Sequence, residues 1–202
     1  MADESFVSLK PGALLAPVPC VMVSCALPGE CPNIITLAWV GTVNSDPPIC
    51  SISIRKSRHS HHIVQESKEF IINLCGEDHL ADMDFCGVKS GKDVDKFAAC
   101  RFTKTQVPGF AAPAIGESPL YLACRVISVQ ELGSHDLFLG RVEHVGVSPQ
   151  IIDGDGKIDY AKARLVAYNH GNYYGLGPAL GFYGYSVAAP DVLERRMKEL
   201  KR

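Results

Sequence analysis

Apolar and polar positions alternate most regularly over residues 49–54, where Cys50, Ile52 and Ile54 fall on one side and Ser51 and Ser53 on the other. A period of two predicts a half-buried strand. Residues 34–43 are dense in apolar and β-branched types, include the single tryptophan, Trp39, and predict a strand of their own. Asn44, Ser45, Asp46, Pro47 and Pro48 separate the two runs with turn chemistry, because short polar side chains bond their own backbone and proline fixes φ. Further apolar runs predict strands over 18–26, 69–74, 121–129 and 136–147.

Helical signals are sparse. Ser60 is a good N-cap for a helix carrying Ile63 and Val64. Residues 77–85 predict a short helix, and Ser90 with Asp93 has capping-box spacing before Val94 and Phe97. Leu193, Met197 and Leu200 recur at helical spacing, so residues 188–202 read as a helical C-terminal extension that packs on the body or on a partner. The Pro-, Gly- and Ala-rich stretch 106–119 is a loop too apolar for a flexible linker, and residues 1–202 read as a single domain. Many strands with few short helices predict a mainly β fold, a barrel or a sandwich.

Composition narrows the classes. The chain has 202 residues, 47% hydrophobic and 21% charged, as in an ordinary globular domain. A formal net charge of −2 argues against a polyanion-binding surface while leaving room for a local basic pocket. No apolar run reaches the roughly 20 residues that span a bilayer, and the acidic start Met1-Ala2-Asp3-Glu4 lacks the basic start of a signal peptide. The expected location is cytoplasmic. The eight cysteines form no C-x-x-C pair, and buried free thiols are expected. Residues 153–159 imitate a calcium loop, but Ile151 and Lys162 occupy the first and twelfth ligand positions, so a glycine-rich turn is expected.

Candidate chemistry concentrates between the predicted strand and helix, in Ser51, Ser53, Arg55, Lys56, Ser57, Arg58, His59 and Ser60. Hydroxyls and guanidinium groups at a helix N-terminus suit a phosphate. A solvated basic loop has the same composition. A metal site on His59, His61 and His62 is a further reading, opposed by the divergence of adjacent residues on a helix. Lys96 reads as a solvated helix position and His135 as a strand start. Tyr168, His170, Tyr173 and Tyr174, set among glycines, either pack a core or border a flat ring.

The order of these blocks resembles the flavin reductase-like FMN-binding family. N-x-x-T-x-A-W-x-G from Asn33, N-S-x-P-P from Asn44, S-x-S-x-R from Ser51 and H-S at His59 carry the likeness. It continues through C-G-V-K-S-G-K-D-V-D-K-F from Cys86, G-S-H-D-L-F-L-G-R-V from Gly133 and A-Y-N-H-G-N-Y-Y-G-L-G from Ala167. The resemblance implies a split β-barrel, a homodimer, and FMN near the subunit interface. It implies that Ser51, Ser53, Arg55, His59 and Ser60 hold the phosphate and ribityl chain. Asn33, Thr36, Leu37, Ala38 and Trp39 would contact the ring, and Lys96 and Phe97 would close the pocket. His135, Tyr168 and His170 would border the nicotinamide side. The implied activity is transfer of reducing equivalents from NAD(P)H to or through flavin, needing no protein acid or base. The alternative is a flavoredoxin-type electron carrier that docks redox proteins; a flavin-binding barrel without turnover is a third.

Overall fold

The computed structural model describes residues 5–200. The strands are β1 (Val18–Pro19), β2 (Val21–Cys25), β3 (Asn33–Leu37), β4 (Val40–Ser45), β5 (Pro48–Arg55), β6 (Glu69–Leu74), β7 (Lys104–Thr105), β8 (Ala114–Ile115), β9 (Leu120–Glu131), β10 (His135–Val147), β11 (Val166–Asn169) and β12 (Asn172–Gly175). The α-helices are α1 (His59–Ser67), α2 (Leu80–Val88), α3 (Lys96–Ala99) and α4 (Pro190–Glu199). Among the described residues no helix is long and apolar enough to cross a membrane.

Seven strands form one antiparallel sheet in the order β3-β2-β6-β9-β10-β5-β4. The two outermost strands, β3 and β4, are consecutive in the chain and joined only by Ala38 and Trp39. So short a link cannot span a flat seven-stranded sheet, at ~4.8 Å per strand. The sheet therefore curls until its edges meet, and Ser53 N donates to Trp39 O at 2.9 Å, carrying the β4–β5 ladder one residue into the link. The fold is a barrel of the split-barrel kind.

The predicted run 34–43 is thus two strands, broken where Ala38 and Trp39 turn the chain from one sheet edge to the other. The run 18–26 also divides: β1 pairs with β11 in a separate three-stranded sheet, and β2 lies in the barrel. Every residue of β2 is buried, since Val21, Val23 and Cys25 fill the barrel while Met22 meets α2 and its neighbours and Ser24 Oγ donates to Pro113 O. A strand covered on both faces shows no alternation. In β5 the alternation holds, with Cys50, Ile52 and Ile54 inside beside Phe70, Phe138 and Ile63 of α1. Gly140 is required for this packing, because a Cβ there would approach the Phe70 ring to 2.5 Å.

Two predicted caps are displaced. Arg58, not Ser60, is the N-cap of α1, and Ser60 is buried inside the first turn. Asp95, not Ser90, caps α3, accepting from Ala98 N at 3.1 Å. Ser90 instead bonds Lys92 N within a turn. The loop 106–119 contains β8 and is packed, with Val107, Phe110 and Ala112 buried. Residues 153–159 form a turn in which Asp153 Oδ1 accepts from the backbone N–H of Asp155 and Lys157, both at 2.9 Å. Of the cysteines, Cys31 is exposed, Cys100 is half-buried and the rest are buried. In α4, Val192, Leu193 and Met197 are half-buried and Arg196 lies over the Phe182 ring at 4.1 Å; residues 201–202 lie outside the described residues.

Candidate functional site

The barrel closure leaves the outer rim of β3 without a strand neighbour, and α2 and the β11–β12 hairpin stand opposite it. The result is a cleft of about 370 Å³. Thr36, Leu37, Ala38 and Trp39 supply one wall, Ser53, Arg55 and His135 a second, and Asp84, Gly87 and Val88 a third. Tyr168, Tyr173 and Cys20 complete it. Two hydrogen bonds hold the walls together: Thr36 Oγ1 donates to Met83 O, and Arg58 Nη2 donates to Gly87 O.

Among the described residues Asp84 is the one carboxylate in that lining, and it accepts from Tyr173 Oη–H at 2.8 Å. Burial, then this carboxylate, pushes the Tyr173 phenol up, so it stays protonated. His135 lies directly across the ladder from Arg55, and its Nδ1 pairs with Ser134 Oγ at 2.9 Å. Burial, then Arg55, lowers its pKa, which keeps the ring neutral at pH 7. The cleft therefore combines aromatic and aliphatic walls with a few placed polar groups, as ligand sites do.

A second cleft, of about 90 Å³, shares Ile35 and Arg58 with the first. Ser57, His59 and Ser60 at the start of α1, and Lys89, Ser90 and Gly91 after α2, line it with Asn33 and Lys96. Among the described residues no carboxylate lines it. The α1 N-terminus has no side-chain cap, so its free N–H groups and dipole add positive potential here. Lys96 is 2% exposed, and its Nζ donates to Ile34 O at 2.6 Å and Cys86 O at 2.7 Å, with a third proton uncommitted. Burial, then chiefly Arg58 among the neighbouring cations, lowers its pKa. His59 is lowered by burial, then by His62, Lys92 and Lys96.

Two buried atoms in this second cleft have no partner: Asn33 Oδ1 and His59 Nδ1. Asn33 Nδ2 donates to Ser60 Oγ at 2.8 Å. With the amide reversed, its oxygen would accept from the Ser60 hydroxyl and its NH₂ would face the cleft. Gly91 must lack a side chain, because a Cβ there would collide with the Asn33 amide. An anion of phosphate size fits this donor set.

The structure sorts the sequence-predicted residues unevenly. Thr36, Leu37, Ala38, Trp39, Ser53, Arg55, His135 and Tyr168 line the larger cleft. Asn33, His59, Ser60 and Lys96 line the smaller. Lys96 is buried, contrary to a solvated helix position, because its ammonium reaches back to two strand and helix carbonyls. Ser51 lies elsewhere, in an apolar cleft beyond Trp39 that includes Leu15 and Val40, with its Oγ on Gly41 O at 3.4 Å. Phe97 lines none of these clefts; it is buried in the core beneath Lys104. His170 borders them from outside, its ring 6.4 Å from Trp39 and its Nε2 3.2 Å from Leu15 O.

His59, His61 and His62 do not converge on one point. His61 Nε2 pairs with buried Asp136 at 2.8 Å, while the His59 and His62 rings lean together at 5.0 Å. Sequence reasoning passed over Lys89, Gly91 and Asp84, and named Arg58 among the cations before the helix without assigning it to the phosphate. Arg58 carried a signal, a cation among hydroxyls directly before a helix. Asp84 carried none.

The family model for the flavin reductase like domain matches residues 14–177. An uncharacterised protein of Archaeoglobus fulgidus is 30% identical over 131 residues, 65% of this chain and 74% of its own. The NADH:riboflavin 5'-phosphate oxidoreductase of Streptomyces pristinaespiralis is 30% identical over 105 residues, 52% of this chain and 57% of its own. Among solved structures, flavoredoxin of Desulfovibrio vulgaris (Miyazaki F) superposes with a TM-score of 0.83 at 28% identity, covering 89% of this chain and 97% of that one.

Proposed function

The chain belongs to the flavin reductase-like family, and from that premise we propose that it binds FMN and passes reducing equivalents from NAD(P)H to or through it. The carrying observation is the junction of two unlike clefts through Arg58 and Ile35. One is walled by aromatic and aliphatic groups, and the other is cationic, free of carboxylates and holds two buried polar atoms without a partner.

In this reading Ser57, Arg58, His59, Lys96 and the backbone N–H of Ser60 hold the phosphate, and Asn33, on which the Ser60 hydroxyl is spent, donates to it. Trp39, Thr36 and the outer rim of β3 would lie against the ring, with Arg55 at its edge. Bound FMN supplies the hydride-accepting and electron-carrying chemistry. His135 and Tyr168 would border the nicotinamide side. We also place a homodimer here, because apolar side chains such as Leu15, Val43, Val145 and Leu180 are exposed in the single chain.

Similarity to flavoredoxin favours a second reading, an electron carrier that docks redox proteins. The two separate in anaerobic stopped flow of the FMN-loaded protein. Reductase activity requires rapid bleaching of the flavin absorbance by NADH or NADPH. Bleaching by dithionite alone, with neither nucleotide effective, would overturn the reductase reading and leave the carrier.

A further inference from the structure

The thiols of Cys86 and Cys100 face each other with sulfurs 3.8 Å apart. Cys86 sits on the last turns of α2 and is fully buried, whereas Cys100 ends α3 and is half-buried. Both are coupled to the anion cleft. The Cys86 carbonyl accepts from Lys96 Nζ at 2.7 Å, and Cys100 N donates to Lys96 O at 3.1 Å. Lys96 is thus held at both ends by the two residues that carry the thiols.

We propose that Cys86 and Cys100 form a peroxide-sensitive thiol pair whose disulfide distorts the Lys96 end of the anion cleft and weakens phosphate binding there. The consequence for phosphate rests on the functional reading above; the cross-link does not. A disulfide brings sulfurs to ~2.05 Å, so the pair must close by roughly 1.8 Å. That displacement falls on α3, a single helical turn, and on the α2 terminus that supplies Gly87 and Val88 to the larger cleft.

The chemistry is a two-step oxidation. The more exposed Cys100 thiol attacks hydrogen peroxide, giving a sulfenic acid and water. Cys86 then attacks that sulfur, the S–O bond breaks, and a second water leaves with the thiol proton. The two thiols lose two protons and two electrons, and one peroxide becomes two waters. Exposure assigns these roles, because Cys100 is half-buried and Cys86 buried, and a Cys86 S–H donated to Cys100 would favour the Cys100 thiolate. Burial first, with Asp82 adding to it, raises the Cys100 pKa all the same, so the reaction should be slow at neutral pH and quicken as pH rises.

The test uses the full chain, loaded with FMN and also free of it. After hydrogen peroxide at neutral and alkaline pH, remaining thiols are alkylated and peptides are weighed. The expected result is a peptide joining Cys86 to Cys100, lacking two hydrogens, formed faster at the higher pH and cleaved by reductant. FMN affinity should fall by about tenfold or more on oxidation, the loss of one charged hydrogen bond, and recover on reduction. Cys100→Ser should abolish both changes. Absence of the cross-linked peptide at either pH would overturn the pair, a result that needs no folded variant. A cross-link with FMN affinity unchanged would overturn the coupling to Lys96. If the reduced protein never binds FMN, the functional reading fails while the peptide still reports on the thiols.

Discussion

Glu69 and Asn73 on β6, and Asn33 and Lys96 beside the barrel's open edge, are all buried polar residues, yet their surroundings differ in kind. Glu69 Oε1 accepts from the N–H groups of Ala111 and Ala112 at 2.7 and 3.0 Å, and its Oε2 from Arg125 Nη1 at 2.6 Å. Asn73 donates to Met22 O and Ser24 Oγ, both at 3.1 Å, and accepts from Ile115 N at 2.8 Å. Every polar atom of that cluster is committed, and what it secures is the apolar loop 106–119. Around Asn33 the pattern reverses: Asn33 Oδ1 and His59 Nδ1 have no partner, and Lys96 keeps a proton free. Unpaired buried groups cost free energy that the fold recovers only when something binds. The saturated cluster is a fastener and the unsaturated one a receptacle.

Substitutions can break this contrast. The largest effect should be Glu69→Ala, which leaves Arg125 and two backbone N–H groups without their acceptor and should cost about 3–5 kcal/mol of unfolding free energy. Urea titration would measure it, and FMN affinity of the folded fraction should hardly move. Lys96→Met should invert that pattern. It removes a buried charge, so apoprotein stability should fall far less than with Glu69→Ala, while FMN affinity drops by about 1.5–3 kcal/mol. Equal stability losses for the two variants would erase the distinction.

A pH titration sharpens it at smaller scale. His59 titrates below its ordinary value of 6.5 because of burial and the cations around it. The unfolded chain therefore takes up a proton first as pH falls through that value, and apoprotein stability should decline on the acid side. The expected loss is below about 1 kcal/mol, since the ring is partly hydrated. Bound phosphate should flatten the decline by favouring the charged ring, and His59→Gln should remove it.

The strands of the barrel were legible wherever one face meets water. Residues 49–54 alternate because the Ser51 and Ser53 side lies at the barrel surface while Cys50, Ile52 and Ile54 fill it. The break at Ala38–Trp39 was not legible, because the apolar run continues unbroken through it and only barrel closure demands the turn. The same holds at the site. Arg55 and His135 could be read from order along the chain, and they meet as cross-strand neighbours. The Lys89–Gly91 wall could not, since it reaches the α1 terminus through tertiary packing, and Ser90 with Asp93 offered a local helix cap instead. Ser60 misled in the same way: its hydroxyl is committed to Asn33, 27 positions away, rather than to its own helix.

The central claim is that the carboxylate-free cleft around Asn33, His59 and Lys96 receives the flavin phosphate. Titrating the apoprotein with FMN and with riboflavin, followed by quenching of flavin fluorescence, tests it directly, because the two ligands differ only in that group. FMN should bind at least about tenfold more tightly, consistent with one or more charge-assisted hydrogen bonds, and Lys96→Met should reduce the difference. Equal affinities for the two flavins, unchanged by Lys96→Met, would contradict the account.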